Sequence, residues 1–489
     1  MTLLLLAPIL VPLAAAAITA AAGWRGWTSV GAVVGALTIL GCGVALAFRV
    51  GTTPHILAGG LLRADALSAV MLIVIGAVGL LSTVAAVGYI NAELDHGHTD
   101  AAGARLYGLL TPAFLAAMVL AVSANNIGVT WVAIEATTVI TAFLVGHRRT
   151  RTSLEATWKF VIICSVGIAM AFLGTILLYF AARHGGADSG HALDLDVLIT
   201  HARGLDPGVT RLAGGLLLIG YGAKVGLVPF HTWLADAHSQ APAPVSALMS
   251  GVLLSVAFSV LLRIKPIIDT AVGTGFLRAG LLTVGLATIG VAAMLLTVST
   301  DLKRMLAYSS MENMGLIAIA AAAGTTLAIA ALLLHVLAHG VGKTVLFLAG
   351  GQLQAAHQST AIVDITGVLR RSRLIGVSFA LGLLVLLGLP PFAMFASELS
   401  IARAMADARL AWPLGVALVL IVIAFAALVR NSGQVLLGDP APASPAIQVP
   451  VSVAVALLIG VIASLVLGVA AGPVTALLHT AAEQLVVPR

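Results

Sequence analysis

The chain has 489 residues, of which 60% are hydrophobic and only 9% charged, and its mean hydropathy is +1.11. A water-soluble domain carries roughly 25% charged residues, so the composition excludes one and implies an all-α, polytopic membrane protein. The formal charge of +6 requires no nucleic acid, because the arginines gather in short connections between apolar runs, with no basic patch interleaved with aromatics.

Fourteen runs long enough to cross a bilayer are predicted, at about 2–22, 28–48, 66–90, 106–122, 126–146, 159–182, 212–229, 243–264, 279–299, 304–323, 325–349, 374–397, 411–429 and 449–472. The first lacks a basic leading stretch, and Gly23-Trp-Arg-Gly-Trp27 does not resemble a cleavage site, so it reads as a retained helix. Cys42 and Cys164 fall inside apolar runs, which leaves no disulfide framework and no Cys-held cluster in this chain. Most connections are short; 91–105, 184–211 (rich in Gly, Asp and His) and 352–373 are longer, the last with room for an amphipathic surface segment. Residues 438–450, with four prolines, read as a stiff connector before the final helix.

Arg148, Arg149 and Arg151, then Lys303 and Arg304, then Arg370, Arg371 and Arg373 fall in connections after the fifth, ninth and eleventh runs. The positive-inside tendency makes that face cytoplasmic and puts both termini outside an inner (plasma) membrane. Arg263, Lys265 and Arg278, in other connections, dilute the bias.

Several ionisable positions interrupt the apolar pattern. Lys224 lies inside the seventh run, just before Pro229, and His231, Asp236 and His238 follow. Proline has no N–H to donate and clashes with the preceding turn, so the helix is predicted to break there. A break at membrane depth is tolerated only against protein or water. A lysine beside it either reaches for the interface or marks a functional site. Glu135 sits mid-run with Trp131 one turn earlier; it either staples helices by hydrogen bonding or pairs with a lysine such as Lys224.

His335, His339 and Lys343 recur every fourth residue, one stripe about 12 Å long at 1.5 Å per residue. H-x-x-x-H can hold zinc, but without a glutamate and beside a lysine the stripe reads better as a hydrated proton path. Glu312, near Ser309, Ser310 and Asn313, makes the tenth run the most polar. Lys159, early in the sixth run, serves equally as a plain interfacial lysine. No G-x-G-x-x-G or Walker A loop is present.

Gly226-Leu-Val-Pro-Phe230 recurs as Gly388-Leu-Pro-Pro-Phe392, which puts Pro390 and Pro391 where Pro229 stands and Glu398 beyond the second break. Either five residues match by chance or two units share one plan, with the working site between them. Five spans separate the breaks, so two such units would be mutually inverted. The expected organisation is one membrane domain: 1–105 with three helices, a first unit over 106–264, a second over 279–430, and a last helix over 449–472.

Taken in order, Trp131…Glu135, Lys224 with Pro229-Phe-His-Thr-Trp-Leu-Ala-Asp-Ala-His238, Ala241-Pro-Ala-Pro-Val-Ser-Ala-Leu-Met-Ser-Gly251, Asp301-Leu-Lys-Arg-Met-Leu-Ala-Tyr-Ser-Ser310 and His335…His339…Lys343 resemble one known family. It is the antiporter-like proton-translocating membrane subunits of respiratory complex I, membrane-bound hydrogenases and multisubunit cation/proton antiporters. His238-Ser-Gln-Ala-Pro-Ala-Pro-Val-Ser246 and Ser310-Met-Glu-Asn-Met-Gly315 look most like the F-type membrane subunits of hydrogenase-4.

The resemblance implies fourteen helices in two inverted five-helix units, with the seventh and twelfth broken. It casts Glu135 and Lys224 as a coupled pair, Lys343 as central relay with His335 and His339, and Glu398 as the gate of a second half-channel. Lys159, His231, Ser255 and Glu312 would support them. Some relatives carry a lysine in the eighth helix where this chain offers Ser255, and the long lateral helix of the largest complex I homologue is not expected here. The implied role is a non-catalytic, proton-translocating subunit of a hydrogenase-4-like or complex I-like oxidoreductase. No cofactor is expected in this chain; Fe–S, Ni–Fe or flavin centres would sit in partner subunits. The partners expected are membrane and peripheral subunits, lipid, and protons or sodium. The rival readings are a sodium/proton antiporter subunit and a scaffold that has lost pumping.

Overall fold

Inside a bilayer every backbone N–H and C=O must be paired within the protein, and runs of Ala, Leu, Val and Ile meet that demand as helices. The computed structural model describes residues 1–439 and 446–486. Its elements are α1 (Thr2–Ala22), α2 (Gly26–Ala47), a small hairpin of β1 (His55–Leu57) and β2 (Leu62–Ala64), α3 (Ala66–Asp95), α4 (Ala101–Ser123), α5 (Ile127–Val145) and α6 (Arg151–His184). A short α7 (Leu195–His201) precedes α8 (Pro207–Val225) and α9 (Thr232–Gln240). Then α10 (Ala243–Leu248) runs through one π turn, Met249–Leu253, into α11 (Leu254–Val272). The rest are α12 (Gly275–Val298), α13 (Leu302–Ala323), α14 (Thr326–His357), α15 (Val368–Arg371), α16 (Arg373–Leu386), α17 (Ala393–Asp407), α18 (Ala411–Leu437), α19 (Val451–Val469) and α20 (Gly472–Leu485).

The starts are written in the sequence. Asp65, Asp100, Asn126, Thr150, Asp206, Asp301 and Thr325 each stand just before a helix and accept a hydrogen bond from a backbone N–H of its first turn. Burial then sorts the helices. The α10–α11 segment and α14 are enclosed on nearly all sides, whereas α1, α2, α6, α18 and α19 turn Leu, Val and Phe outward, as a lipid-facing surface requires. Gly251 and Gly340 meet where the π turn crosses α14; a Cβ on either would lie within 2.9 Å of the other's carbonyl oxygen. A single side chain at that crossing would therefore push the two most enclosed segments apart.

Two helices are interrupted in the same way. α8 ends at Gly226 in the left-handed conformation (φ 83°), and α16 gives way to Gly388 (φ 59°). In the first break the N–H groups of Gly226, Leu227 and Phe230 donate to the carbonyls of Ala223, Gly222 and Leu227; in the second, those of Gly388, Leu389 and Phe392 donate to Val385, Leu384 and Leu389. The register is identical, residue for residue. Only glycine takes a positive φ without a steric penalty, which is why both breaks start on one.

Among the described residues, eleven helices are long and apolar enough to cross a membrane. The other three predicted spans fall on the interrupted pairs α8–α9 and α16–α17 and on α13, whose first half carries Lys303, Arg304, Ser309, Ser310, Glu312 and Asn313. Several connections differ from expectation. Residues 184–211 contain α7, held against the start of α5 by Asn126 donating to Asp194 (2.7 Å) and Asn125 to Asp196 (2.8 Å). The chain also makes an amphipathic α20 beyond the last predicted span. Part of the connector read over 438–450 lies outside the described residues. Two cations read as loop charges are buried inside helices: Arg263 in α11 and Lys303 in α13.

Candidate functional site

The break after α8 creates the first half of the site. A helix end leaves carbonyls without intrahelical partners, and at Val225 these lie in the protein interior. Trp233 of α9 donates its indole N–H to the Ala223 carbonyl (2.9 Å), and Thr288 of α12 accepts the Val228 N–H (3.0 Å). The broken backbone is thus sealed by side chains from two neighbours. Lys224, in the last turn of α8, is fully buried. Its ammonium donates to the Thr138 hydroxyl at 2.9 Å and lies 4.7 Å from the centroid of the Phe160 ring. Thr138 follows Glu135 by three residues on α5, so the two share a face.

Glu135 is partly buried, and its enclosed Oε2 has no hydrogen-bond partner among the described residues. No Lys224–Glu135 ion pair closer than 4 Å occurs among the described residues; the Thr138 hydroxyl stands at the lysine instead. Trp131, one turn before Glu135, donates to the Ile168 carbonyl (2.8 Å) and packs on Phe172. His231 sits at the N-cap of α9, with an enclosed Nδ1 that has no hydrogen-bond partner among the described residues.

The second half lies between α13, α14 and α17. Lys343 is fully buried and donates to the Ser309 hydroxyl (2.5 Å) and the Leu306 carbonyl (2.7 Å). Asn313 donates to the Ser309 carbonyl (2.7 Å), and its Oδ1 meets His335 Nε2 at 2.8 Å. The other ring nitrogen of His335 meets the Ser397 hydroxyl of α17 at 3.0 Å. Glu398 is the next residue, and its carboxylate lies over Gly388, where a Cβ would collide with it. Glu312 lies within electrostatic reach of both Lys343 and Glu398.

Towards the first break the line continues through Ser310, which bonds the Leu306 carbonyl (3.1 Å) and the Ser250 hydroxyl of the π turn (2.7 Å). A row of polar contacts therefore runs from Ser250 to Ser397 through the most enclosed helices. His339 lies beside it, its ring parallel to that of His335 at 6.4 Å, and neither of its nitrogens has a hydrogen-bond partner among the described residues. Ser255 is buried, and its hydroxyl likewise has no partner among the described residues. Buried polar atoms without protein partners are ordinarily satisfied by water, and Glu135, His231, His339 and Ser255 each carry such an atom.

Some predicted residues lie elsewhere. Lys159 is half exposed and forms ion pairs with Asp236 of α9 (2.9 Å) and Glu155 (2.8 Å), an arrangement that ties α6 to α9 at the surface. Asp236 is also bound by Arg304. The roles of other residues were not anticipated. Thr138, Ser309, Asn313 and Ser397 supply the partners of the buried lysines and of His335. His238 is fully buried between Trp233 and Phe347, its Nδ1 against the Leu234 carbonyl. Lys303, also fully buried, donates to the Ala241 carbonyl (2.7 Å). The i, i+4 spacing of Ser309 and Asn313 was the one available signal, since it puts both on one face. Among the described residues no group of three His, Cys, Asp or Glu side chains is placed to hold a metal ion.

The model of the membrane family described as NADH:quinone oxidoreductase/Mrp antiporter matches residues 124–424, which include both breaks and the whole polar row. The chain belongs to this family. Over 384 residues it is 36% identical to a hydrogenase-4 component F homolog of Methylacidiphilum infernorum, covering 78% of this chain and 80% of that one. It is 30% identical to NADH-quinone oxidoreductase subunit N 1 of Sorangium cellulosum, over 75% of this chain and 72% of that one. It is 26% identical to hydrogenase-4 component B of Escherichia coli, over 69% of this chain but only half of that one. Among solved structures, the fold of this family member is that of a chain of the archaeal membrane-bound sulfane sulfur reductase (TM-score 0.88, 23% identity, 99% of this chain and 97% of that one). A chain of the Mrp complex from Dietzia shares it (TM-score 0.85, 21% identity, 99% and 97%).

Proposed function

We propose that this chain is the proton-translocating, antiporter-like membrane subunit of a hydrogenase-4-like or complex I-like respiratory oxidoreductase. The observation that carries the reading is a pair of fully buried lysines beside two matching helix breaks: Lys224 on Thr138 at the first, and Lys343 within the polar row that ends at Ser397 of the second. A buried ammonium that bonds only neutral hydroxyls and carbonyls contributes little to stability and is well placed to give up its proton. Redox chemistry at Fe–S, Ni–Fe or flavin centres of partner subunits would alter the field at Glu135 and Lys224. The proton would then pass by water and His339 to Lys343, and by water past His335, which Asn313 and Ser397 orient, out to Glu398. Ser255 and Glu312 would hold water and counter-charge beside that route; Lys159 and His231 would set the geometry of its first half.

Counting α13 and the pairs α8–α9 and α16–α17 as three further crossings gives fourteen. The matched registers of the two breaks support two units, over 106–264 and 279–430, inverted with respect to one another. The inner (plasma) membrane, with both termini outside, is the placement that the arginine-bearing connections favour. A sodium/proton antiporter subunit uses the same fold; the identity to a hydrogenase-4 component F homolog favours the oxidoreductase. Proton uptake by inverted vesicles containing the assembled complex tests the reading. Lys224→Ala and Glu135→Gln should each abolish uptake in the absence of sodium; normal uptake by either assembled variant would overturn it.

A further inference from the structure

We propose that the groove between α4, α5 and α6 on the arginine-bearing face is a binding site for an anionic phospholipid, its phosphate held at Arg149 and one acyl chain laid along α5 towards Thr138. The groove encloses about 680 Å³ and is walled by Leu106, Val139, Ala142, Phe143, Trp158 and Val161. Phe143 and Trp158 are 58% and 65% exposed, so the groove opens sideways to the bilayer. Its inner end reaches Thr138, whose hydroxyl accepts from Lys224.

One polar group at the mouth selects the headgroup. Arg149 is exposed, and its guanidinium makes no hydrogen bond or ion pair among the described residues. Arg148, beside it, is already spent on a bidentate contact with Glu93 (2.6 and 2.9 Å). His147 lines the same groove, is nine-tenths buried, and has an Nε2 with no partner among the described residues. Burial pushes its imidazole down to about 4, against the pull of Glu93 and Asp100, so it is neutral at physiological pH. Phosphate oxygens can accept from the exposed Arg149 fork at the rim, with the enclosed, neutral His147 ring forming the wall behind it.

A partner's apolar helix would fill the groove and leave the Arg149 guanidinium unpaired, so lipid fits better than protein. A second groove, of about 730 Å³, adjoins at Leu106 and carries Trp24, Arg25 and Arg105. Guanidinium groups beside tryptophan at one level are what the phosphate plane of a bilayer attracts. The bound chain would wall the Lys224–Thr138 contact off from the lipid phase.

The test is native mass spectrometry of the purified complex, delipidated and titrated with phosphatidylglycerol or phosphatidylcholine. Wild type should hold one phosphatidylglycerol about tenfold more tightly than phosphatidylcholine. Arg149→Glu should remove that preference, and Val139→Trp, which fills the groove, should weaken both lipids. Arg149 is a surface residue, so its variant decides the question even where Val139→Trp assembles poorly. Unchanged phosphatidylglycerol retention in Arg149→Glu would overturn the proposal. So would capture of a partner subunit, instead of lipid, by a photo-crosslinker placed at Phe143.

Discussion

Replacing Lys343 by methionine distinguishes a charge kept for function from one kept for structure. The ammonium is fully buried and bonded to Ser309 Oγ and the Leu306 carbonyl. Each hydrogen bond to a charged donor contributes roughly 1.5–3 kcal/mol, so methionine forfeits about 3–6 kcal/mol. Removing the buried charge returns a dehydration penalty of several kcal/mol. The volume is nearly conserved, so no cavity opens. The acceptors left behind keep other partners, because Ser309 donates to the Leu306 carbonyl (2.9 Å) and Ser310 reaches the same oxygen (3.1 Å). The two large terms nearly cancel, and Lys343→Met should change stability by no more than about 2 kcal/mol in either direction. Thermal unfolding of the detergent-purified protein should therefore be almost unmoved while proton uptake into inverted vesicles is lost. Retained uptake would refute the relay assignment. A large fall in melting temperature would refute the claim that the lysine is not structural.

Arg263→Met should behave oppositely: it strips Asp65 of a bidentate partner (2.6 and 3.0 Å) in a buried cluster with Ser68 and the Val122 carbonyl, at a cost of about 3–5 kcal/mol. Chemical denaturation reads that loss directly. Gly388→Ala should cost about 1–2 kcal/mol for its positive φ, and should slow proton uptake as well, because the new methyl displaces the Glu398 carboxylate. The pH dependence of unfolding should report His147. Its buried imidazole is pushed below its ordinary value of about 6.5 to about 4 by dehydration, with Glu93 and Asp100 opposing and Arg148 and Arg149 adding. The unfolded chain binds the proton first, so stability is lost as pH falls from about 6.5 to about 4, by up to about 3 kcal/mol. His147→Phe should remove that component of the acid sensitivity.

What could be read from residues alone follows from where information resides in a chain. A charge inside an apolar run is conspicuous by itself, and so Lys224, Lys343, Glu135 and Glu398 were found without knowing what they touch. Their partners were not. Thr138, Ser309, Asn313 and Ser397 are ordinary helix residues whose meaning comes from a neighbour far away in sequence: 86 residues for Lys224–Thr138 and 62 for His335–Ser397.

Charges near the end of a run are ambiguous for a related reason. Lys303 and Arg263 looked like loop cations because hydropathy falls off around them. Yet α13 is capped by Asp301 and begins at Leu302, and α11 runs on to Val272, so both are carried into the interior. The breaks were legible because proline and glycine act locally. The short elements β1, β2 and α7 were not, since nothing in a few residues distinguishes a loop from a turn of helix.

The site contains two different answers to one electrostatic problem. Lys224 occupies the last turn of α8, at the negative end of the helix dipole, and its ammonium takes the Thr138 hydroxyl as acceptor. Lys343 lies within an unbroken helix that offers no such end, and it borrows the Leu306 carbonyl from α13, an oxygen also bonded by Ser309 and Ser310. The first solution depends on the break: continuing α8 through Gly226 would remove the helix end and leave the ammonium with the Thr138 hydroxyl alone. The second depends on the neighbouring helix. The acid of the second break, Glu398, follows its interruption, whereas the lysine of the first precedes its own. A helix that resumes after a break presents its positive end there, and one that stops presents its negative end. Each break thus carries its charge on the side whose backbone favours it, a base before the first interruption and an acid after the second.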